Sequence, residues 1–444
     1  MSPPKRAAWR SSRRLIMATS CIALFTESLL SGFPVPMLPY MLEERLRGDP
    51  AQTTHNIDTL LSLHGFVTMM CSPVFAKFFD KNTNQKAQLF LSLGICLVGT
   101  GLVASTPTLW ALYLGRVLQG VAGSAAWLVC TTMITQTASE GGLGRVLGTS
   151  MSFITIGVVS GPMLGGVLLG WSGYWAAWSV PMALLVVDMI MRLVMVQPKR
   201  HSASQDTSQD TQNEESPLLP PPSPSAAQPE CNFYAVTLSN VSIWTGILNT
   251  IVQSGIRAGF NATLPVYLRD TFDWGPSKVG AMFFALQVPI IFLSPVLGWA
   301  RDRVGVRSPT TVGWILLAPL LCFLGIPGSG ISWTAGGNPS QQINEAAFIA
   351  CICGIGLLMP FTQGAGALSI RQTVRKMEKE FPGVFGPNGG SSRCFALTSV
   401  SYNAGLGLGP AVIGWLTRSI GYLYMNIFLG AVCLGVAAIS FLFY

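Results

Sequence analysis

Long apolar segments dominate the sequence. Half of the 444 residues are hydrophobic and 10% are charged, whereas about a quarter of an average soluble protein is charged. A helix needs about 20 apolar residues to cross a bilayer. Twelve segments are of about this length, at residues 15–41, 59–79, 87–106, 110–138, 146–170, 174–196, 240–268, 279–300, 309–327, 344–370, 395–417 and 422–443. They predict an all-α membrane protein with twelve transmembrane helices.

Basic residues are concentrated on one side of these segments. Twenty of them flank the segment ends that share a side with both termini. Five flank the other side, namely Arg45, Arg47, Arg269, Lys278 and Arg418. Because basic loops remain cytoplasmic, we expect both termini in the cytoplasm. This distribution accounts for the net charge of +8, which therefore does not indicate a nucleic-acid partner.

One polar stretch divides the chain. Residues 197–238 are rich in Ser, Gln, Asp and Pro, a composition that cannot bury a core. We therefore predict an N-terminal six-helix bundle at 1–196, a disordered cytoplasmic linker at 197–238 and a C-terminal six-helix bundle at 239–444. The linker segment from Glu214 to Leu219 has the acidic-dileucine form of a sorting-adaptor signal. A chance match in a low-complexity tract is the alternative.

A glycine motif occurs once in each predicted bundle. Gly-x-x-x-Gly-Pro lies in the fifth segment of each, at Gly157, Gly161 and Pro162 and again at Gly405, Gly409 and Pro410. Glycines at this spacing let two helices approach closely in lipid, and proline interrupts the regular helix. The repeat indicates two pseudo-symmetric bundles, as in many secondary transporters.

Few ionisable residues lie inside the apolar segments, where each costs roughly 2.5–3.5 kcal/mol at the helix centre. Glu27 is our first candidate for proton coupling, because a carboxylate reached from each side in turn can carry a proton across. A structural ion pair is the alternative. Arg116 is expected either to pair with Glu27 or to pack between helices. Arg257 is expected to meet an anionic substrate group, to face Glu27 or to act structurally. We interpret Asp188 as a solvated partner of Arg192.

Four motifs carry a family resemblance. They are Gly-Arg-x-x-Gln-Gly at 115–120, the glycine motif of the fifth segment with its continuation at Gly165 and Gly166, Gly-x-x-x-Asp-Arg-x-Gly-x-Arg at 298–307, and Phe-Thr-Glu followed by three prolines at 25–39. Together they resemble the major facilitator superfamily over nearly the whole chain. The likeness is closest to its twelve-span drug:proton antiporters, especially the fungal and vesicular-amine-transporter-like members.

The resemblance implies roles for particular residues. Arg116 would support proton movement, and the span 5 motif would mark an antiporter. Cytoplasmic gating would involve Asp80, Lys81, Asp302, Arg303 and Arg307. The sequence departs from the family pattern in the loop after the second segment, at Ala76, Lys81, Thr83 and Asn84. It also has Asn261 where relatives often place an acid.

The predicted function is a secondary active transporter that exports a small organic molecule, a drug or secondary metabolite, in exchange for protons by alternating access. A facilitated-diffusion uniporter or an importer on the same fold is the alternative. No nucleotide motif, metal-ligand spacing or nucleophile–base set is present, so we expect no cofactor, no bound metal and no enzymatic activity. Candidate substrate contacts are Gln119, Trp127, Asn249, Gln253, Arg257, Asn261, Phe361, Gln363, Tyr402 and Asn403.

We expect a monomer in the plasma membrane, with the vacuolar or another endomembrane as the alternative if the dileucine segment is functional.

Overall fold

A computed structural model describes residues 12–81, 85–137, 143–195, 237–331, 340–380 and 391–444. The segment 214–219 and nearly all of the predicted linker lie outside the described residues. Within the described part, the chain is helical apart from short turns and contains no strand. The predicted all-α class is therefore confirmed.

The helices follow one another in chain order. They are α1 Arg13–Gly32, α2 Pro50–Lys81, α3 Gln85–Ser105, α4 Leu109–Thr137, α5 Leu143–Ser172, α6 Tyr174–Val194, α7 Val241–Phe272, α8 Pro276–Val304, α9 Arg307–Leu324, α10 Gln341–Thr362, α11 Ala365–Glu380 and α12 Ser391–Phe443.

Three of the predicted segments differ from the helices observed. After α1 the chain continues through tight helical turns as far as Arg45, because prolines at 34, 36 and 39 remove backbone donors that a regular helix needs. The predicted tenth segment is divided into α10 and α11 at Gly364, whose φ is 75°. Helix α12 contains both the eleventh and the twelfth predicted segments, which meet at a kink at Gly421.

Nine helices in the described residues are long and apolar enough to cross a membrane. That number counts α12 as one crossing and omits α4 and α7. Helix α7 is less apolar because it carries polar side chains in its middle, namely Asn249, Gln253, Arg257 and Asn261. The number of twelve crossings therefore stays a prediction, while the multi-pass character of the chain is clear.

The helices pack as two groups joined along two seams. In the N-terminal half, α1 packs against α4, α5 and α6, and α2 and α3 each pack against α4. In the C-terminal half, α7 packs against α11 and α12, and α10 packs against α8 and α9. The first seam between the halves joins α5 to α8, and the second joins α2 to α12.

The two ends of the molecule can be told apart by chain direction. Helices α1, α3, α5, α7 and α9 finish at one end, which we call the distal end, and α12 finishes at the opposite, proximal end. Exposed tryptophans lie at the distal end, among them Trp110, Trp171 and Trp175, and also at the proximal end, at Trp244 and Trp299. Tryptophan is enriched where a helix meets the lipid headgroups, so both ends agree with membrane interfaces.

Candidate functional site

The glycine motif of α5 forms its contact with α1. A methyl group added to Gly157 would lie 2.9 Å from Ser28 Cβ, and one added to Gly161 would lie 3.2 Å from the Phe33 nitrogen. At Gly165 it would overlap the Phe33 carbonyl. These three glycines bring α5 into backbone contact with the helix that carries the candidate proton site.

The second glycine motif makes the equivalent contact in the other half. Methyl groups added to Gly405 and Gly409 would lie 3.0 Å from the Gly255 nitrogen and 2.9 Å from its Cα, respectively. Both prolines of the repeat, Pro162 and Pro410, are buried. Helix α12 therefore packs against α7 as α5 packs against α1, which gives the two halves matching interiors.

The two seams also depend on residues without side chains. At the α5–α8 seam, a methyl group on Gly166 would lie 2.9 Å from Gly280 Cα. At the α2–α12 seam, a methyl group on Gly407 would lie 2.9 Å from the Phe66 ring, and Gly65 faces the Gly407 backbone. Small residues therefore set the distance between the halves, as expected where lipid removes the hydrophobic drive for helix association.

Glu27 lies near the middle of the apolar segment from Arg13 to Arg45 and is partly buried. Its Oε2 accepts a weak hydrogen bond from the Cys96 thiol of α3, with Sγ and Oε2 3.8 Å apart. Its Oε1 lies against α4 at Gly123, where a side chain would overlap it. Glu27 makes no ion pair with any residue that the structure describes. The carboxylate is therefore partly buried and has no counter-charge bonded to it among the described residues.

Arg116 is not the partner of Glu27 that the sequence suggested as one alternative. Its side chain is 1% exposed, and its Nη1 donates to Gln119 Oε1 at 3.2 Å. Gln119 donates in turn to Thr100 on α3 at 3.0 Å. The Nε and Nη2 of Arg116 are enclosed without a hydrogen-bond partner. Gln119 is thus occupied by its neighbours, although we predicted it as a substrate contact.

The interpretation of Asp188 as part of a solvated pair was wrong. Arg192 Nε and Asp188 Oδ1 are 3.3 Å apart, and both side chains are completely buried. Arg192 also donates to the Thr19 carbonyl of α1 at 3.2 Å and to the Cys130 sulfur of α4 at 3.6 Å. A spacing of four residues gives the same pairing on any face of a helix, so the spacing alone could not show that this pair faces the interior.

Two ion pairs join the halves near the distal end. Arg418 on α12 bonds to Asp58 on α2, and a side chain at Gly414 would overlap the Asp58 carboxylate. Arg269 at the end of α7 bonds to Glu43 at 2.6 Å. Both contacts hold the halves together at the same end, and the sequence analysis identified neither.

The predicted gating residues lie at the proximal end. Arg303 stacks on Trp299, 4.2 Å from the ring centre, and Arg307 stacks on Phe441 at 4.3 Å. Both contacts stay within the C-terminal half. The side chains of Asp80, Lys81 and Asp302 lie outside the described residues, so their gating role stays a prediction.

Several predicted substrate contacts serve the structure of the C-terminal half instead. Asn249 Oδ1 accepts from the Trp314 ring nitrogen at 2.7 Å, and its Nδ2 donates to Ser440 at 2.9 Å. Asn403 donates to the Ser399 carbonyl within its own helix at 2.9 Å. In the other half, Trp127 packs on a hydrophobic cluster. These three side chains are engaged in packing and internal hydrogen bonds.

Arg301 has a role that the sequence analysis did not assign. Its guanidinium donates to the main-chain carbonyls of Pro360, Phe361 and Gln363 at 2.9, 2.7 and 2.7 Å. It therefore holds the break between α10 and α11, where helix carbonyls lose their regular partners. The backbones of Phe361 and Gln363 belong to this break.

The remaining predicted contacts are Gln253, Arg257 and Asn261 on α7 and Tyr402 on α12. Gln253, Arg257 and Asn261 are spaced by four residues and share one face of α7. Arg257 Nη2 donates to Gln287 Oε1 on α8 at 2.6 Å. No hydrogen bond of Gln253, Asn261 or Tyr402 to another part of the described chain is observed. The polar face of α7 is therefore the best-formed candidate for binding in the C-terminal half.

Known proteins resemble the chain over its length. The family model of the Major Facilitator Superfamily matches residues 20–377. An uncharacterized MFS-type transporter of Schizosaccharomyces pombe is 27% identical over 438 residues, which cover 96% of this chain and 95% of that protein. The class G tetracycline resistance protein of Vibrio anguillarum is 31% identical over 319 residues, covering 68% of this chain and 75% of that protein.

A solved structure, that of the nucleoside transporter NupG, superposes with a TM-score of 0.66 at 14% sequence identity, covering 97% of this chain and all of that one. At this identity the likeness concerns the fold alone. The resemblance inferred from the motifs is confirmed by these comparisons. The chain belongs to the Major Facilitator Superfamily, and it is an integral multi-pass membrane transporter rather than an enzyme.

Proposed function

We propose that the protein exports a small organic molecule in exchange for protons by alternating access. The observation that carries this proposal is the position of Glu27. It is a partly accessible carboxylate at mid-depth, in contact with α3 and α4 through Cys96 and Gly123, and it has no ion-pair partner in the described chain. Such a group can exchange a proton with whichever side has access to it.

The distal contacts support the alternating-access part of the proposal. The two ion pairs observed between the halves among the described residues are at the distal end, so that end is closed in this conformation. With the termini in the cytoplasm, as the basic residues predict, the distal end faces outward. A closed outer end is the conformation in which an exporter receives its substrate from the cytoplasm.

Arg116 has a supporting role in this scheme. It lies on α4 with Gly123, which contacts Glu27, and its positive charge favours the ionised carboxylate over the neutral acid. We propose that this helps to release the proton when the cavity changes side. The energy source is the proton gradient, with no nucleotide or other cofactor.

The similarity to a tetracycline resistance protein suggests tetracycline as a first test compound. The protein is proposed to act as a monomer in the plasma membrane, with a vacuolar or other endomembrane as the alternative location. Removal of the two leucines at 218 and 219 from a fluorescently tagged protein tests that location. A change of location would favour adaptor sorting.

The decisive experiment uses purified protein in liposomes with an imposed pH gradient. Tetracycline uptake or release is followed in the wild type, in Glu27→Gln and in Glu44→Gln, a control that neutralises an exposed glutamate. We expect uphill transport in the wild type and in Glu44→Gln. Glu27→Gln should bind tetracycline and equilibrate it without accumulation.

Two results would contradict the proposal. Uphill transport that persists in Glu27→Gln would remove the assigned proton site. Transport by the wild type that is insensitive to the pH gradient would indicate facilitated diffusion, the alternative function on this fold.

A further inference from the structure

We propose that the transported molecule carries an oxyanion, such as a carboxylate, enolate or phenolate, which binds to Arg257 and Gln287 between α7 and α8. This inference rests on the proposed transport function and specifies its substrate class.

The two side chains form a fixed and buried pair. Arg257 is 8% exposed and Gln287 is 3% exposed, and Arg257 Nη2 lies 2.6 Å from Gln287 Oε1. Because the amide oxygen accepts from the guanidinium, the amide nitrogen is left to donate elsewhere. The pair therefore presents donors on both side chains.

The unused donors of this pair are not enclosed by protein. Arg116 has two nitrogens that are buried without a hydrogen-bond partner, and Arg192 also has enclosed nitrogens of this kind. Within the described chain, no side-chain nitrogen of Arg257 or Gln287 is both buried and without a hydrogen-bond partner. Since Arg257 makes only the bond to Gln287 there, its Nε and Nη1 remain accessible to solvent or to a ligand.

Arg257 lacks the compensation that four other buried or half-buried arginines have, and it differs from Arg116, which also has no carboxylate partner, in that its unused nitrogens are not enclosed. Arg192, Arg269 and Arg418 each face a carboxylate. Arg301 donates to three main-chain carbonyls instead. No ion pair of Arg257 is observed among the described residues. A positive charge at membrane depth that has accessible donors and no acid is complementary to an anion from outside the chain.

Neighbouring side chains extend this site along α7. Gln253 and Asn261 lie one turn below and one turn above Arg257 on the same face, and neither is bonded elsewhere in the described chain. Arg257 is near the middle of the 32-residue helix Val241–Phe272. Substrate sites of transporters with two similar halves lie at this depth.

The chemistry selects an oxyanion rather than a neutral or cationic group. A guanidinium presents donors in a planar fork that matches a carboxylate in two parallel hydrogen bonds, and it has no acceptor. A cationic substrate would be repelled by the uncompensated charge. A planar anion can accept hydrogen bonds from the unused nitrogens of Arg257. The same anion supplies the negative charge that the site lacks.

Binding to the purified full-length protein tests the proposal. The probes are fluorescein and rhodamine 123, two xanthene dyes that differ in charge, and the measurement is fluorescence anisotropy. We expect fluorescein to bind at least tenfold more tightly than rhodamine 123. Cinnamate should displace fluorescein, and cinnamamide, which lacks the charge, should not.

Variants locate the effect at the site. Arg257→Gln should weaken fluorescein binding at least tenfold, Arg257→Lys should retain part of the affinity, and Gln287→Leu should weaken binding severalfold. Lys278→Gln, which removes an exposed positive charge, should bind like the wild type. Equal binding of the two dyes, displacement by cinnamamide, fluorescein affinity unchanged in Arg257→Gln, or no fluorescein binding would each overturn the assignment.

A transport measurement separates this inference from the proposed function. Fluorescein binding that depends on Arg257 while fluorescein transport ignores the pH gradient would reject proton exchange and leave the anion site in place. Proton-driven transport of rhodamine 123 that is unaffected by Arg257→Gln would reject the anion site and leave proton exchange in place.

Discussion

The distal ion pair between Arg418 and Asp58 gives a quantitative test of how the halves are held closed. The pair joins α12 to α2, so it exists only while the distal end is closed. Arg418→Met removes the charge and leaves an apolar chain of similar reach. The prediction is a shift of the conformational equilibrium toward the form with an open distal end.

The size of the shift follows from the burial of the two partners. Asp58 has a side chain that is 3% exposed, while Arg418 is 32% exposed. Exposed ion pairs contribute about 0.2–1 kcal/mol, and loss of one partner of a fully buried pair costs about 3–5 kcal/mol. With one partner buried and the other in contact with water, we expect about 1–3 kcal/mol, which corresponds to roughly a 5–150-fold change in the equilibrium constant.

Electron–electron distance measurements check this shift. Spin labels at Ser105 and Ser329 report the separation of the halves, because both serines are exposed at the distal end of opposite halves. Arg418→Met should populate a longer distance. The charge-exchanged double variant Asp58→Arg, Arg418→Asp should recover part of the short distance, since the opposite charges still face each other.

Gly414→Ala provides an independent perturbation of the same contact. Its added methyl group would occupy the space of the Asp58 carboxylate, so it should open the distal end without any change of charge. An unchanged distance distribution in both Arg418→Met and Gly414→Ala would refute the idea that this contact closes the transporter.

Three further predictions concern stability. Asp188→Asn should lower the free energy of unfolding by about 3–5 kcal/mol, because it leaves Arg192 buried without a counter-charge. Equal stability of the wild type and the variant in reversible SDS unfolding would contradict this prediction. Gly161→Leu should force α5 away from α1, so we expect no folded protein in size-exclusion chromatography. Gly94→Ala is the control, because no neighbour lies within 4 Å of its added methyl group, and it should express normally. Similar yields of the two variants would count against the packing argument. Arg301→Met should cost at least about 4 kcal/mol, since it removes three charged hydrogen bonds that contribute about 1.5–3 kcal/mol each. A wild-type unfolding midpoint would show that the break between α10 and α11 needs no such support.

Features that depend on local sequence were predictable. The apolar segments gave the helical class, because length and composition alone decide whether a helix can remain in lipid. Glycines at a spacing of four share one helix face, so the contacts of Gly157 and Gly161 with α1 follow from the sequence pattern. The polar face of α7 could be found in the same way.

Features that depend on which face turns inward were not predictable. Asp188 and Arg192 have the same spacing whether the helix face is solvated or buried, and only tertiary packing shows that it is buried. Glu27 and Arg116 lie on different helices, and the sequence contains no information on their relative rotation. Arg269 and Glu43 are separated by more than two hundred positions along the chain, so their pairing arises only from the fold.

Helix α5 connects the candidate proton site to the partner half over a very short distance. Gly165 touches the backbone of α1 at Phe33, and the next residue, Gly166, touches α8. Under the proposed proton exchange, a tilt of α1 that accompanies a charge change at Glu27 would therefore reach the partner half through one intervening helix. Such a route would need no long relay of side chains.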